Sequence, residues 1–285
     1  MALGRLPIHP GAIYGVIKEL RRAAEDFRPI VLAGAAGPAQ ELREALSAGG
    51  QPEAIRDLTG KELSGYDVEG AGLLLYVIEG KPGPLDELAL RKADRKGVET
   101  ICVVVGSGVE PVDVPYVLAT NVVQVPTGRP VPVDKVAKLI ATQADERAHM
   151  WAARLPVLRK PVVEHVISKF ARQNGILGAA IFIPGADLPV LTLNQMRMVF
   201  HIAAAYGEEM DRDRAVEVIG VIGAAFGFRA LAREALGVVP GVGWAIKGGI
   251  AYIGTRALGK AASAYFEAGV QQKVKEAVGS VRSRS

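Results

Sequence analysis

Residues 31–46 read VLAGAAGPAQELREAL. An apolar run, Ile30 to Ala33, meets a glycine turn at Gly34 and Gly37 and passes into a helical pattern, with Leu42 and Leu46 on one face and Glu41 and Glu44 between them. That is the strand, loop and helix order in which phosphate-binding loops are built. Counted from Gly34 along G-x-x-x-x-G-K-[ST], the second glycine falls on Ala39, the lysine on Gln40 and the hydroxyl on Glu41. The cation and the metal ligand are both lost. Glu41 is expected to lie near the positive end of the helix macrodipole and to occupy the place that a phosphate would take.

Working outward, further apolar runs alternate with helical patterns. PIVLAG (29–34), GLLLYVIEG (72–80), TICVVVG (100–106) and YVLA with VVQV (116–125) read as buried strands; 38–47, 84–96 and 133–143 read as helices, after an opening helix near 11–26. Strands without polar alternation belong to a parallel sheet covered on both faces. From about residue 145 the strand signals stop. A helix near 160–182 ends at PGADLP, Thr192 and Gln195 form a capping-box pair opening the next, a third spans about 213–235, GVVPG interrupts, and a fourth starts near Gly243 before a last amphipathic stretch to about 278. The expected architecture is an α/β doubly wound parallel sheet with its N-terminal helix (1–144), followed by an all-α helical domain (145–285) that ends in a frayed basic tail.

Composition narrows the function classes. The 285 residues are 49% hydrophobic but only 6% aromatic, with a mean hydropathy of +0.22 and a net charge of +4. The charge is uneven: residues 1–150 hold 17 basic against 20 acidic residues, and 151–285 hold 17 against 10. A basic, apolar second half suits an anionic membrane surface or an acidic partner. Cys102, the only cysteine, sits in an apolar run, so the chain builds no internal disulfide framework. Lys18, Glu19, Arg21 and Arg22 interrupt any signal-peptide core, which points to a cytoplasmic protein.

With these segments placed, the chain resembles a small GTPase domain in strand order. Residues 151–262 resemble the helical domain of unknown function 697, the YcjF-like family. The matching stretches are ARLPVLRKPVVEHVI (153–167), PGADLPVLTLNQMRMVFHIAAAYG (184–207) and VVPGVGWAIKGGIAYIGTRALG (238–259). The resemblance implies a P-loop GTPase-like first domain and membrane association of the second. The GTPase signatures do not carry over residue by residue. The loop lacks its lysine, GSGV (Gly106 to Val109) stands where the guanine-reading N-K-x-D belongs, and Asp57 to Gly60 form a D-x-x-G that a surface turn explains as well. About 24 residues separate the first α/β unit from GLLLYVIEG, too few for the usual switch loops and two strands. A degenerate P-loop at Gly34, Gly37, Ala39, Gln40 and Glu41 is expected to bind no cofactor, since neither charge stabilisation nor purine selectivity has a source.

Other chemistry is thin. Glu146 and His149 have the i, i+3 spacing of a metal pair, but His165 and His201 bring no second pair, so no metal is expected. Ser107 lies between Gly106 and Gly108 without the G-x-S-x-G spacing and reads as part of a turn. Gly223 and Gly227, and Gly249 and Gly254, mark small-residue surfaces for helix packing or lipid contact. Residues 218–228 carry no charge, and 235–255 carry only Lys247, but Pro240 cuts the longer stretch, so a hairpin lying on or re-entering a membrane fits better than a clean pass.

The expectation is a non-catalytic pseudo-GTPase protein acting as a membrane-associated or self-assembling scaffold, at the inner face of the cell membrane. It has no catalytic residues, cofactor, nucleic-acid partner or small-molecule substrate. An anionic membrane surface, a second copy or a protein partner is its counterpart. The alternatives are a nucleotide-binding switch that uses the Gly34 to Ala39 amides without lysine, and a soluble scaffold without lipid contact.

Overall fold

The computed structural model describes residues 10–25, 27–108, 110–180, 188–209 and 244–282. They fall into two compact units, Ala24–Val162 and Met1–Ala23 with Val163–Ser285.

After helix α1 (Pro10–Glu25), the first unit alternates strand and helix: β1 (Ile30–Gly34), α2 (Ala36–Ser47), β2 (Ile55–Thr59), α3 (Gly65–Glu69), β3 (Leu73–Glu79), α4 (Pro84–Arg95), β4 (Thr100–Ser107), β5 (Val122–Pro126), α5 (Val133–Ala144) and α6 (Ala148–Arg154). The five strands pair in parallel in the order β2-β1-β3-β4-β5. This is a doubly wound order, with its switch point between β1 and β3. Alternation along the strands divides the core. Val31, Ala33, Leu74, Tyr76, Ile78, Cys102 and Val104 form one face with Leu63, Val68, Leu90 and Ala93 from the segments before β3 and β4. Leu32, Leu73, Leu75, Val77, Ile101 and Val103 alternate with them and are buried as well, on the side where α2 and α5 pack. Each such side chain contributes ~1.5–3 kcal/mol by leaving water.

Two details depart from the sequence reading. The short stretch before β3 accommodates an edge strand, IRDLT, and the five-residue α3, which Ser64 caps with Asp67 in a reciprocal capping box. YVLA is not a strand. Residues 110–121 cross from β4 to β5 without an α-helix; Val112, Val114 and Val117 reach the core, and Tyr116 takes φ 65°.

Residues 145–162 belong to this unit, so its division lies eighteen residues beyond the expected 144/145 boundary. The physical reason is burial: Trp151, Leu155 and Leu158 are each at most 1% exposed. Trp151 Nε1–H donates to Arg28 O (2.9 Å), and the Gln51 amide donates to Arg154 O (2.8 Å). Gly72 is required beside the indole, because a Cβ there would lie 2.7 Å from it.

The second unit contains α7 (Arg159–Ala180, from Val163 on), α8 (Leu188–Ala205) and the 39-residue α9 (Trp244–Arg282), with most of α1. Instead of a fourth helix and a separate last stretch, α9 is continuous. α8 starts at Leu188, so Thr192 and Gln195 lie inside it and form no cap there. Gln195 Nε2 instead donates to Thr255 Oγ1 (3.2 Å). Asn174 Nδ2 donates to the same hydroxyl (2.9 Å), and Asn194 Nδ2 donates to Asn174 Oδ1 (3.1 Å). Asn174 and Thr255 are fully buried, so this network ties α7, α8 and α9 in one register.

Among the described residues of this unit, close backbone approach is made by Gly175, Gly248 and Gly259 rather than by Gly249 and Gly254. A Cβ on Gly248 would stand 2.7 Å from Gly175 O and 3.0 Å from Ala179 Cβ, whereas Gly249 and Gly254 face open space. Gly223 and Gly227 lie outside the described residues. Gly248→Ala is therefore expected to lower the thermal midpoint, with overpacking costing ~1–3 kcal/mol. Gly249→Ala, on the open side of the same helix, is expected to raise the midpoint, with helix propensity contributing ~0.5–1 kcal/mol. Equal signs for the two in thermal unfolding would show that the packed face is misassigned.

Candidate functional site

In an open parallel sheet, ligands bind outside the carboxyl ends of the strands, at the switch point. Here every strand runs into a glycine with positive φ: Gly34 (98°), Gly60 (69°), Gly80 (78°), Gly106 (75°) and Gly128 (76°). Lys61, Lys81 and Arg129 directly follow three of them. The sequence signal was present as Gly-Lys, Gly-Lys and Gly-Arg after hydrophobic runs, but it becomes a rim only once the strands are set in parallel.

At the switch point itself the main chain closes on itself. The Ala35 amide donates to Val77 O of β3 (2.8 Å), and the Gly60 amide donates to Gly34 O (3.0 Å). A Cβ on Gly34 would lie 2.0 Å from Val77 O, so this residue must be glycine on both conformational and steric grounds. One residue, Ala35, separates β1 from α2. Gly37, Ala39, Gln40 and Glu41 are therefore positions within α2 rather than a loop.

The amides are correspondingly few. Ala35 N–H is spent on β3, Pro38 has none, and Ala39 N–H reaches Ala35 O (3.3 Å), which leaves those of Ala36 and Gly37 at the helix start. Ala39 is buried against the core, while Gln40 and Glu41 are exposed, and Gln40 Nε2 donates to Glu44 Oε1 (2.7 Å). Glu41 lies in the second turn of α2, not its first. The macrodipole falls off within the first turn, so Glu41 does not stand in for a phosphate as the sequence reading expected.

Asp57, first residue of the D-x-x-G, is inside β2. Its carboxylate accepts from the Thr59 amide (3.0 Å) and pairs with Arg43 (3.6 Å). Burial pushes its pKa up, but the Thr59 hydrogen bonds and the Arg43 and Lys61 charges together outweigh burial and hold it below the usual carboxylate range. Ser107 is buried, with its hydroxyl directed at Val125 O (3.5 Å); it and Gly106 are the last residues of β4, and the positive φ of Gly106 falls at an irregularity in the β4–β5 pairing rather than in the expected turn. Cys102 is fully buried and its thiol pKa is pushed far up, mainly by desolvation, so it is inert as a nucleophile.

The histidines do not converge. Among the described residues no group of three His, Cys, Asp or Glu side chains could hold a metal. His149 is 4% exposed, and its Nδ1–H donates to the Glu146 carbonyl, so the pair is joined through backbone rather than as two ligands. His165 is half-buried on α7, and His201 on α8 packs its ring 5.9 Å from that of Phe170.

Desolvation lowers the His149 pKa, against the opposing Glu146 hydrogen bond and charge. The folded state therefore favours neutral imidazole, while the unfolded chain takes up a proton near pH ~6.5. Stability from this site is full above that value and declines as pH falls through it. His149→Gln is expected to flatten the dependence of the thermal midpoint between pH 7.5 and 5.5. An unchanged slope would place the pH sensitivity elsewhere.

Comparison with protein-family models, with curated proteins and with solved structures returns no match, so the reading of function rests on this geometry.

Proposed function

We propose that this chain is a non-catalytic scaffold: a degenerate, P-loop GTPase-like α/β unit used as a binding module, joined to a helical unit of the YcjF-like type that mediates assembly. The observation that carries the proposal is the closure at the switch point. Phosphoryl transfer needs a cradle of amides, a cation and a metal ligand around the phosphates. Here Gly34 and Ala35 are held against Val77, Pro38 removes an amide, and Gln40 and Glu41 stand where lysine and hydroxyl would be. What remains is a rigid, covered sheet that presents loops to a protein partner. No helix among the described residues is long and apolar enough to cross a membrane. Contact with an anionic membrane face would run through the basic flanks Arg154, Arg159 and Lys160 before the helical unit and Lys273, Lys275, Arg282 and Arg284 after it.

A second reading has an observation of its own. β2 and β3 flank β1, so the loops bearing Lys61 and Lys81 border the start of α2 on its two sides. These two cations would serve a nucleotide in place of the missing lysine.

Calorimetric titration with GTP and with ATP, each with Mg²⁺, separates the two. No heat of binding at micromolar protein is expected. Micromolar binding that Lys61→Ala with Lys81→Ala abolishes would overturn the scaffold reading in favour of the nucleotide switch.

A further inference from the structure

α9 carries two apolar seams. The inward one runs through Gly248, Tyr252, Thr255, Gly259, Ala262 and Phe266, in steps of four and three residues. It is occupied: Gly248 and Tyr252 meet Gly175, Gly259 meets Ile167 and Met198, and Phe266 stacks with Tyr206. The outward one, Ile250, Gly254, Ala257, Ala261, Ala264 and Ala268, repeats the same four-three spacing nearly opposite. Ile250 is 67% exposed, with Ile253 (58%) and Tyr265 (43%) at its edges. Alternating steps of four and three keep a seam facing one partner helix over its whole length, a demand that a lipid surface does not make. On α9 itself, the seam that keeps this spacing on the inside is packed against helices.

The charges beside the outward seam say which helix. Lys260 and Glu267 lie on one flank of it, seven residues apart, both exposed, and neither has an ion-pair partner among the described residues. In an antiparallel two-fold pairing, Ala261 of one copy meets Ala264 of the other, and Lys260 of each comes beside Glu267 of its mate, so both charges are matched twice. A parallel pairing would set Lys260 against Tyr265 and Glu267 against Gln272, matching neither. Gly254 and the alanines leave room for close backbone approach. We propose that α9 is a homodimerisation helix, pairing antiparallel with α9 of a second copy through Ile250 to Ala268. This rests on the assembly half of the scaffold reading and names its partner and its surface.

The test is the mass of the intact chain by analytical ultracentrifugation across a concentration series, with and without vesicles of mixed zwitterionic and anionic lipid. A dimer is expected. Lys260→Glu and Glu267→Lys, each alone, place like charges together at both ends and are expected to weaken it about tenfold. The double reversal re-matches the charges and is expected to restore it. Ala261→Glu, a charge in the seam itself, is expected to leave monomer, with helix content and thermal midpoint checked to exclude misfolding. Three results would overturn the proposal: a monomer at all concentrations, a dimer indifferent to Ala261→Glu, or charge reversals that the double variant fails to rescue. A monomer that floats with the vesicles, and is released by Ala261→Glu, would assign the seam to lipid instead. Nucleotide titration is independent of all of these. A monomer that binds no nucleotide removes this inference and leaves the non-catalytic reading standing, whereas a nucleotide-binding dimer does the reverse.

Discussion

The α/β unit turns on the approach of Gly34 and Ala35 to Val77. Parallel pairing of β1 with β3 puts the end of β1 directly over a β3 carbonyl, and the chain turns there in one residue. Only glycine fits, because any Cβ would overlap Val77 O. The same turn starts α2 at once, which satisfies the sheet edge but leaves no loop to surround an anion. The covered sheet on either side of the closure is then free to vary in its loops, where parallel α/β proteins place their contacts.

The extent of the unit is decided by another single contact. Trp151 fills the space over Gly72 and donates its indole N–H to Arg28 O, so the segment after α5 completes the core instead of leaving it. Arg154 stacks 3.9 Å over the Phe27 ring at the same end of the unit. The first residues of α7 fall in this unit and the rest in the other, as α1 is divided near its own end. Sequence composition placed the boundary where strands stop, but burial of an indole and two leucines does not announce itself as a change of element type.

In the helical unit, buried polar and small residues set register and spacing within a core that also holds Phe170, Met198, Phe200, Ile202 and Phe266. Asn174, Asn194, Gln195 and Thr255 satisfy one another in the interior, and a half-satisfied version of that set would cost more than an apolar core. The network therefore specifies register while the glycines set distance, a division of labour that suits a core with few aromatic side chains. It also explains why α9 has no single apolar face. A helix with one seam locked inside and an equally spaced one outside reads as weakly amphipathic, although each seam is well formed.

Much was legible from residues alone where the signal is local. The runs IVLAG, LLLYVIE and TICVVVG are too apolar for anything but a parallel sheet buried on both faces, and the helices starting near Pro84 and Val133 follow from periodicity that acts within a few turns. The loss of the P-loop lysine is likewise a fact of sequence. Tertiary structure decided what depends on residues far apart. Asp57 became a strand residue because Ile30 to Gly34 offered it an edge to pair with. Thr192 has no capping role because α8 starts at Leu188, four residues earlier, and its expected partner Gln195 bonds Thr255, 60 positions away, inside the bundle. Gly248, rather than Gly249, makes the close approach because α7 brings Gly175 and Ala179 to that side of α9. A glycine's neighbours across an interface leave no mark on its own stretch of chain, so the choice between two adjacent glycines belongs to packing, while the need for small residues somewhere in that helix was already written in its sequence.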